Sequence, residues 1–121
     1  MIRGTIRRRD AIIEMVISGS GARSQSVEAV IDTGFNGYLT LPGPVITALQ
    51  LPLVGYRRGR LADGSVTRLN VRMVSLIWHG RRKEVLAMEA DGAPLVGMAL
   101  LEGSRLTMDV VDRGDVTINE L

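Results

Sequence analysis

The stretch Ala29-Val30-Ile31-Asp32-Thr33-Gly34 restricts this chain more than any other. Consecutive apolar residues read as a strand buried on both faces, and such a strand needs other structure packed on either side of it. Here it ends in a carboxylate, whose desolvation is costly unless hydrogen bonds or charges compensate. Gly34 permits a sharp turn and lets a backbone N–H approach Asp32. Thr33 adds a hydroxyl that can tie the turn to a neighbouring segment. Asp-Thr-Gly is still only three common residues. Asn36-Gly37 just downstream is a strong two-residue hairpin signal, flanked by Phe35 and by Tyr38 to Leu41. Read alone, Asp32 is better taken as a turn former at a strand end.

The remainder of the chain narrows the choice. At 121 residues it is expected to form a single domain spanning 1–121, with a modest core. Aromatics are few (Phe35, Tyr38, Tyr56 and Trp78), so that core must be built from Val, Leu, Ile and Met. The absence of cysteine excludes a disulfide framework and a thiolate site. With His79 as the single histidine, a multi-histidine metal site within one chain is excluded as well, and no metal is expected. No apolar segment approaches the length of a membrane span, and Met-Ile-Arg opens the sequence without an apolar signal core. The expectation is a cytoplasmic protein with no membrane partner. The net charge is +2 and the positive charge is carried almost wholly by arginine, densest at Arg3, Arg7, Arg8 and Arg9 and next at Arg57, Arg58 and Arg60. No aromatic residue is interleaved for base stacking, so solvated strand faces and loops explain these clusters better than nucleic-acid contact.

Alternating patterns predict a β-rich chain. Arg3 to Arg9 reads as a short edge strand. Ala11 to Ser18 and Ser26 to Ile31 read as a hairpin around Gly19-Ser20-Gly21. Tyr38 to Leu41 is a brief strand ended by Pro42. Pro44 to Leu51 is a short helix with Val45, Ile46 and Leu49 inward. Val54 to Ala62 and Ser65 to Val74 form a hairpin around Asp63-Gly64, with a change of phase near Leu69 that reads as a bulge. A further hairpin joins Val74–His79 to Glu84–Glu89. Leu95-Val96-Gly97 then leads into a short helix, Met98 to Glu102, ended by Gly103. A last hairpin, Arg105 to Val110 with Val116 to Asn119, turns at Asp112 to Asp115, so its Arg-Gly-Asp is turn chemistry.

In that order, Val30-Ile31-Asp32-Thr33-Gly34, Ala62-Asp63-Gly64 and Leu95-Val96-Gly97-Met98-Ala99-Leu100-Leu101 resemble the retropepsin-like aspartic proteases, in particular the small single-domain prokaryotic members. The resemblance spans roughly Ile12 to Ile118. It implies an all-β fold, a closed acid-protease barrel with one or two short helices, and a homodimer. It also implies an aspartic endopeptidase that needs no cofactor and cuts a peptide or protein substrate. Two carboxylates are required, and this chain holds one Asp-Thr-Gly, so Asp32 would be contributed twice across a two-fold axis. By the same resemblance, Thr33 would lock the two loops together and Gly34 would donate its N–H to the carboxylate. Leu95, Val96 and Gly97 would pack beneath the loop, and Ala62, Asp63 and Gly64 would close over the peptide. The chain departs from the family at Phe35, which stands where a small Ala or Ser is usual and shapes the adjacent substrate subsite. That departure favours the alternative, a catalytically silent dimerisation or peptide-binding module of the same fold. Nucleic-acid binding through the arginines is the weaker third reading.

Overall fold

A computed structural model describes residues 1–19, 21–60 and 63–121. Among them run ten strands and two short helices: β1 (Ile2–Arg7), β2 (Asp10–Ser18), β3 (Ser24–Ile31), β4 (Leu39–Leu41), α1 (Gly43–Leu49), β5 (Leu53–Arg60), β6 (Val66–Trp78), β7 (Arg81–Glu89), β8 (Leu95–Val96), α2 (Met98–Leu101), β9 (Ser104–Met108) and β10 (Asp115–Glu120). The mostly-β class and the two helices agree with the sequence.

Strict alternation sets up the core. Along β2, Ala11, Ile13, Met15 and Ile17 are buried while Glu14 and Val16 face out. On β3, Val27, Ala29 and Ile31 are buried and Val30 is half-buried on the opposite face. Leu39 and Leu41 of β4, Leu76 of β6, Leu100 of α2 and Ile118 of β10 complete the centre. In α1, Pro42 sits at the N-cap and Pro44 in the first turn, where a missing N–H costs nothing. Ile46 and Leu49 are its buried residues, and Gln50 ends it in a left-handed conformation.

The strands join in the order β5-β6-β7-β4-β8-β3-β2-β1-β10-β9, and β6 also touches β2. That second contact is brief, Ile17 opposite Leu76 and Ser18 opposite Ser75. The closed barrel of the sequence reading is therefore corrected: a two-pair seam bends the sheet back on itself, and β5 and β9 remain as edges. β1 is not an edge, because it lies between β2 and β10. Arg8 and Arg9, which follow it, form the two-residue turn into β2, both at positive φ.

Other departures concern which segments pair and where they turn. Asn36-Gly37 makes no hairpin: β4 pairs in parallel with β7 and antiparallel with β8, and not with β3. The two strands read around Val74 are one 13-residue strand, β6, paired first with β5 and then with β7. The register shift of the first pairing falls between Leu53 and Gly55 of β5, not near Leu69. The β6–β7 turn is His79-Gly80, both at positive φ, with Trp78 opposite Arg81. His79 Nε2 lies 2.7 Å from Ser104 Oγ and so ties this turn to β9. Arg113 and Gly114 of the last hairpin bond to Ile6 of β1, which holds the Arg-Gly-Asp segment against the sheet. No helix among the described residues is long and apolar enough to cross a membrane.

Candidate functional site

The chain leaving β3 passes over the end of β8 and returns on its far side as β4. β8 runs parallel to β3, with Val30 opposite Leu95 and Ile31 opposite Val96. It runs antiparallel to β4, with Leu39 opposite Val96 and Thr40 opposite Leu95. Asp32 to Tyr38 thus arch over Leu95-Val96-Gly97, and backbone hydrogen bonds fix the arch from below. Asp32 N–H donates to Val96 O at 2.9 Å, Gly97 N–H to Tyr38 O at 3.1 Å, Met98 N–H to Phe35 O at 2.8 Å and Ala99 N–H to Gly37 O at 3.1 Å. The buried Thr40 adds a side-chain anchor, its Oγ1 accepting the Leu95 N–H at 3.0 Å.

On this base Asp32 is held half-buried at the top of β3. Its Oδ1 accepts the Gly34 N–H at 2.9 Å, and its backbone oxygen accepts from Phe35 at 3.1 Å. A Cβ at Gly34 would stand 3.2 Å from Oδ1, so glycine keeps the approach to the carboxylate open. Thr33, Gly34 and Asn36 are exposed.

Phe35 fits because two glycines make room for it. A Cβ at Gly37 would meet the ring at 2.5 Å, and one at Gly97 would meet it at 2.6 Å and the Phe35 oxygen at 2.7 Å. The ring therefore lies along the arch, half-buried, and forms one wall of a cavity of about 100 Å³. Tyr38, Val71, Leu86, Met88 and Arg57 are among its other walls. On the other flank of the arch, a groove of about 540 Å³ is bordered by Thr33, Asn36, Met98, Leu101, Ser104 and Leu106. Met98 is an exposed apolar side chain there.

The β5–β6 hairpin stands over the cavity side. Asp63 and Gly64 lie at its tip, Gly64 at φ 86° with open space around it. The carboxylate of Asp63 accepts from Ser65 Oγ at 2.6 Å and from Ser65 N–H at 2.8 Å. The hydroxyl first and the N–H second hold its pKa below the ordinary carboxylate value. Ala62 falls outside the described residues. The hairpin reaches the arch cavity through Arg57 and Val71; Asp63 and Gly64 do not line it.

Of the residues singled out in the sequence, the structure brings Asp32, Thr33, Gly34 and Phe35 together with Leu95, Val96 and Gly97, and sets Asp63 and Gly64 apart at a hairpin tip. Two residues of the site escaped the sequence reading. Thr40 gave no sign beyond a polar residue inside a three-residue apolar strand. Arg57 was seen only as part of a basic cluster, although Gly55 and Gly59 flank it at the two-residue period of a strand face. Among the described residues no three His, Asp or Glu side chains lie close enough to hold a metal ion. No family model, curated protein or solved structure matches this chain.

Proposed function

We propose that this chain is half of a retropepsin-like aspartic endopeptidase, in which two copies pair so that their Asp32 carboxylates meet across a two-fold axis. The observation that carries the reading is the arch itself. A carboxylate is fixed by a backbone N–H at 2.9 Å at the end of a core strand, while Thr33 and Gly34 beside it stay exposed. The groove with Met98 adds apolar surface next to the same loop for a partner copy.

Two carboxylates about 3 Å apart cannot both ionise, so the pair shares one proton. The ionised member takes a proton from a water as the water's oxygen bonds to the scissile carbonyl carbon. The protonated member donates to the carbonyl oxygen. The dyad then passes its proton to the amide nitrogen while a hydroxyl of the tetrahedral intermediate returns one to the dyad, so the C–N bond breaks, the amine leaves and the shared proton is restored. This chemistry needs no cofactor. The test is Asp32→Asn, which preserves shape and removes the titrating group. Acid–base assistance is worth about 100- to 10,000-fold per group, so turnover of an extended peptide disappears. In mixed dimers, activity falls as the square of the wild-type fraction. A linear fall means that each chain acts alone, and activity that survives in the pure variant ends the aspartic-protease reading.

A second reading, a silent peptide-binding or dimerisation module, is favoured by one observation. Phe35 brings no hydrogen-bond donor to the carboxylate, and it walls a cavity large enough for a side chain. Peptide binding without turnover in the wild-type dimer selects it.

A further inference from the structure

The two arms of the β5–β6 hairpin carry Arg57, Arg58, Arg60, Arg68 and Arg72 and no acidic residue. Among the described residues only Arg72 of these has a carboxylate partner, Glu89 at 3.8 Å. Arg68 stacks over the Tyr56 ring at 3.5 Å. Charges on an edge strand block edge-to-edge pairing, but either sign serves that purpose. Here one sign is used throughout, and one of the five side chains faces the arch.

That side chain is Arg57. Its strand partner is Leu69, and Gly55 beside it pairs with the buried Val71, so Arg57 lies on the hairpin face that Val71 turns to the protein. It lines the cavity walled by Phe35, Tyr38, Val71, Leu86 and Met88, where it is the one charged group among the described residues. Pockets for drug-sized ligands measure about 300–1,000 Å³; this cavity of about 100 Å³ is on the scale of a single side chain. A small apolar cavity with one guanidinium at its rim matches a side chain with a short aliphatic stem and a terminal carboxylate.

We propose that the β5–β6 hairpin selects acidic peptide segments, with Arg57 reading a glutamate or aspartate side chain seated in the Phe35 cavity and Arg58, Arg60 and Arg68 favouring further acidic residues along the segment. This rests on the reading of the Asp32 arch as a peptide site. A nucleic acid is the less suited occupant. The one exposed aromatic of the hairpin, Tyr56, already has Arg68 stacked on its ring, which leaves less of it for base stacking.

The test uses the Asp32→Asn chain, which binds without cleaving. Labelled extended decapeptides that differ only in carrying Glu, Gln or Lys at alternate positions are titrated by fluorescence anisotropy. The Glu peptide binds about tenfold more tightly than the Lys peptide at low salt, and the gap narrows as salt rises. Adding Arg57→Met weakens the Glu peptide about three- to fivefold, the scale of one partly exposed ion pair, and leaves the Gln peptide unchanged. Arg57→Lys keeps most of the preference, and Arg57→Glu moves it towards the Lys peptide. Equal affinities for Glu and Gln overturn the proposal. So does an equal loss from Arg23→Met, an exposed arginine in the β2–β3 turn, or capture of a single-stranded oligonucleotide in place of the acidic peptide. Cleavage is read separately with the wild-type chain. Binding of acidic peptides without cleavage removes the protease reading and leaves this inference standing. Cleavage indifferent to charge in both wild type and Arg57→Met does the reverse.

Discussion

Gly97→Ala tests the architecture of the arch most directly. A Cβ at this position would lie 2.6 Å from a ring carbon of Phe35, 2.7 Å from the Phe35 carbonyl oxygen, and closer still to the Gly37 carbonyl oxygen. Ordinary separations are about 3.5 Å, so the arch must lift by about 1 Å from the start of α2. Two hydrogen bonds span that gap directly, Met98 N–H to Phe35 O and Ala99 N–H to Gly37 O. Overpacking costs about 1–3 kcal/mol, and each hydrogen bond contributes about 1 kcal/mol net. The expected loss is then about 3–5 kcal/mol, against a total of about 5–15 kcal/mol for a domain. Urea unfolding at fixed protein concentration measures it; at a slope of about 1.5 kcal/mol/M the midpoint drops by about 2–3 M. Because two of the three clashing atoms are backbone oxygens, Phe35→Ala added to Gly97→Ala does not restore stability. A loss below about 1 kcal/mol, or full rescue by Phe35→Ala, would refute the reasoning and make the ring the sole obstacle.

Arg9→Gly should stabilise, since Arg9 sits at φ 67° in a two-residue turn where an L side chain costs about 1–2 kcal/mol, partly offset by glycine's larger unfolded-state freedom. A melting temperature a few degrees higher, with no gain from Arg9→Ala, is the expected result. Thr40→Val strips the Leu95 N–H of its side-chain acceptor in a buried position, a loss of about 1–3 kcal/mol by chemical denaturation. Asp63 should titrate below the ordinary aspartate value of 3.8 in an NMR pH series, and Ser65→Ala should raise its midpoint. A carboxylate whose pKa is lowered in the folded state stabilises above its unfolded pKa, and that stabilisation fades as pH falls through the folded value.

Which parts of this were visible in the sequence depended on how local their causes are. The hairpins at Gly19–Gly21 and Asp63-Gly64 were legible because turn chemistry and flanking alternation both lie within a dozen residues; the next hairpin was legible too, although its turn is His79-Gly80 and not Gly80 to Lys83. Both helices showed themselves through proline and glycine at their ends. The Arg8-Arg9 turn did not, because arginine carries no preference for positive φ and only the strands on either side impose it. β6 was split in two because its burial changes from alternating to continuous at Val74-Ser75-Leu76. The change marks where the strand leaves the hairpin and enters the core, and the sequence shows it only as a broken pattern. At the site, Asp32-Thr33-Gly34 and Leu95-Val96-Gly97 could be read as motifs. The accommodation of Phe35 by Gly37 and Gly97 could not, since it joins residues sixty positions apart.

β6 has a mechanical consequence. Its inner half is clamped between β7 and the brief β2 seam, with Val74, Ser75 and Leu76 buried, while its outer half carries the arginine hairpin into solvent. The hairpin is therefore a cantilever whose root is part of the core. It has no hinge loop of its own, so bending concentrates where β5 slips register at Leu53 to Gly55, opposite Val71 and Arg72. Arg57 sits two residues beyond that pivot, where a small rotation moves it little, whereas Asp63 and Gly64 at the free end sweep furthest. In an arm built this way, displacement grows towards the tip and is least at Arg57, close to the root.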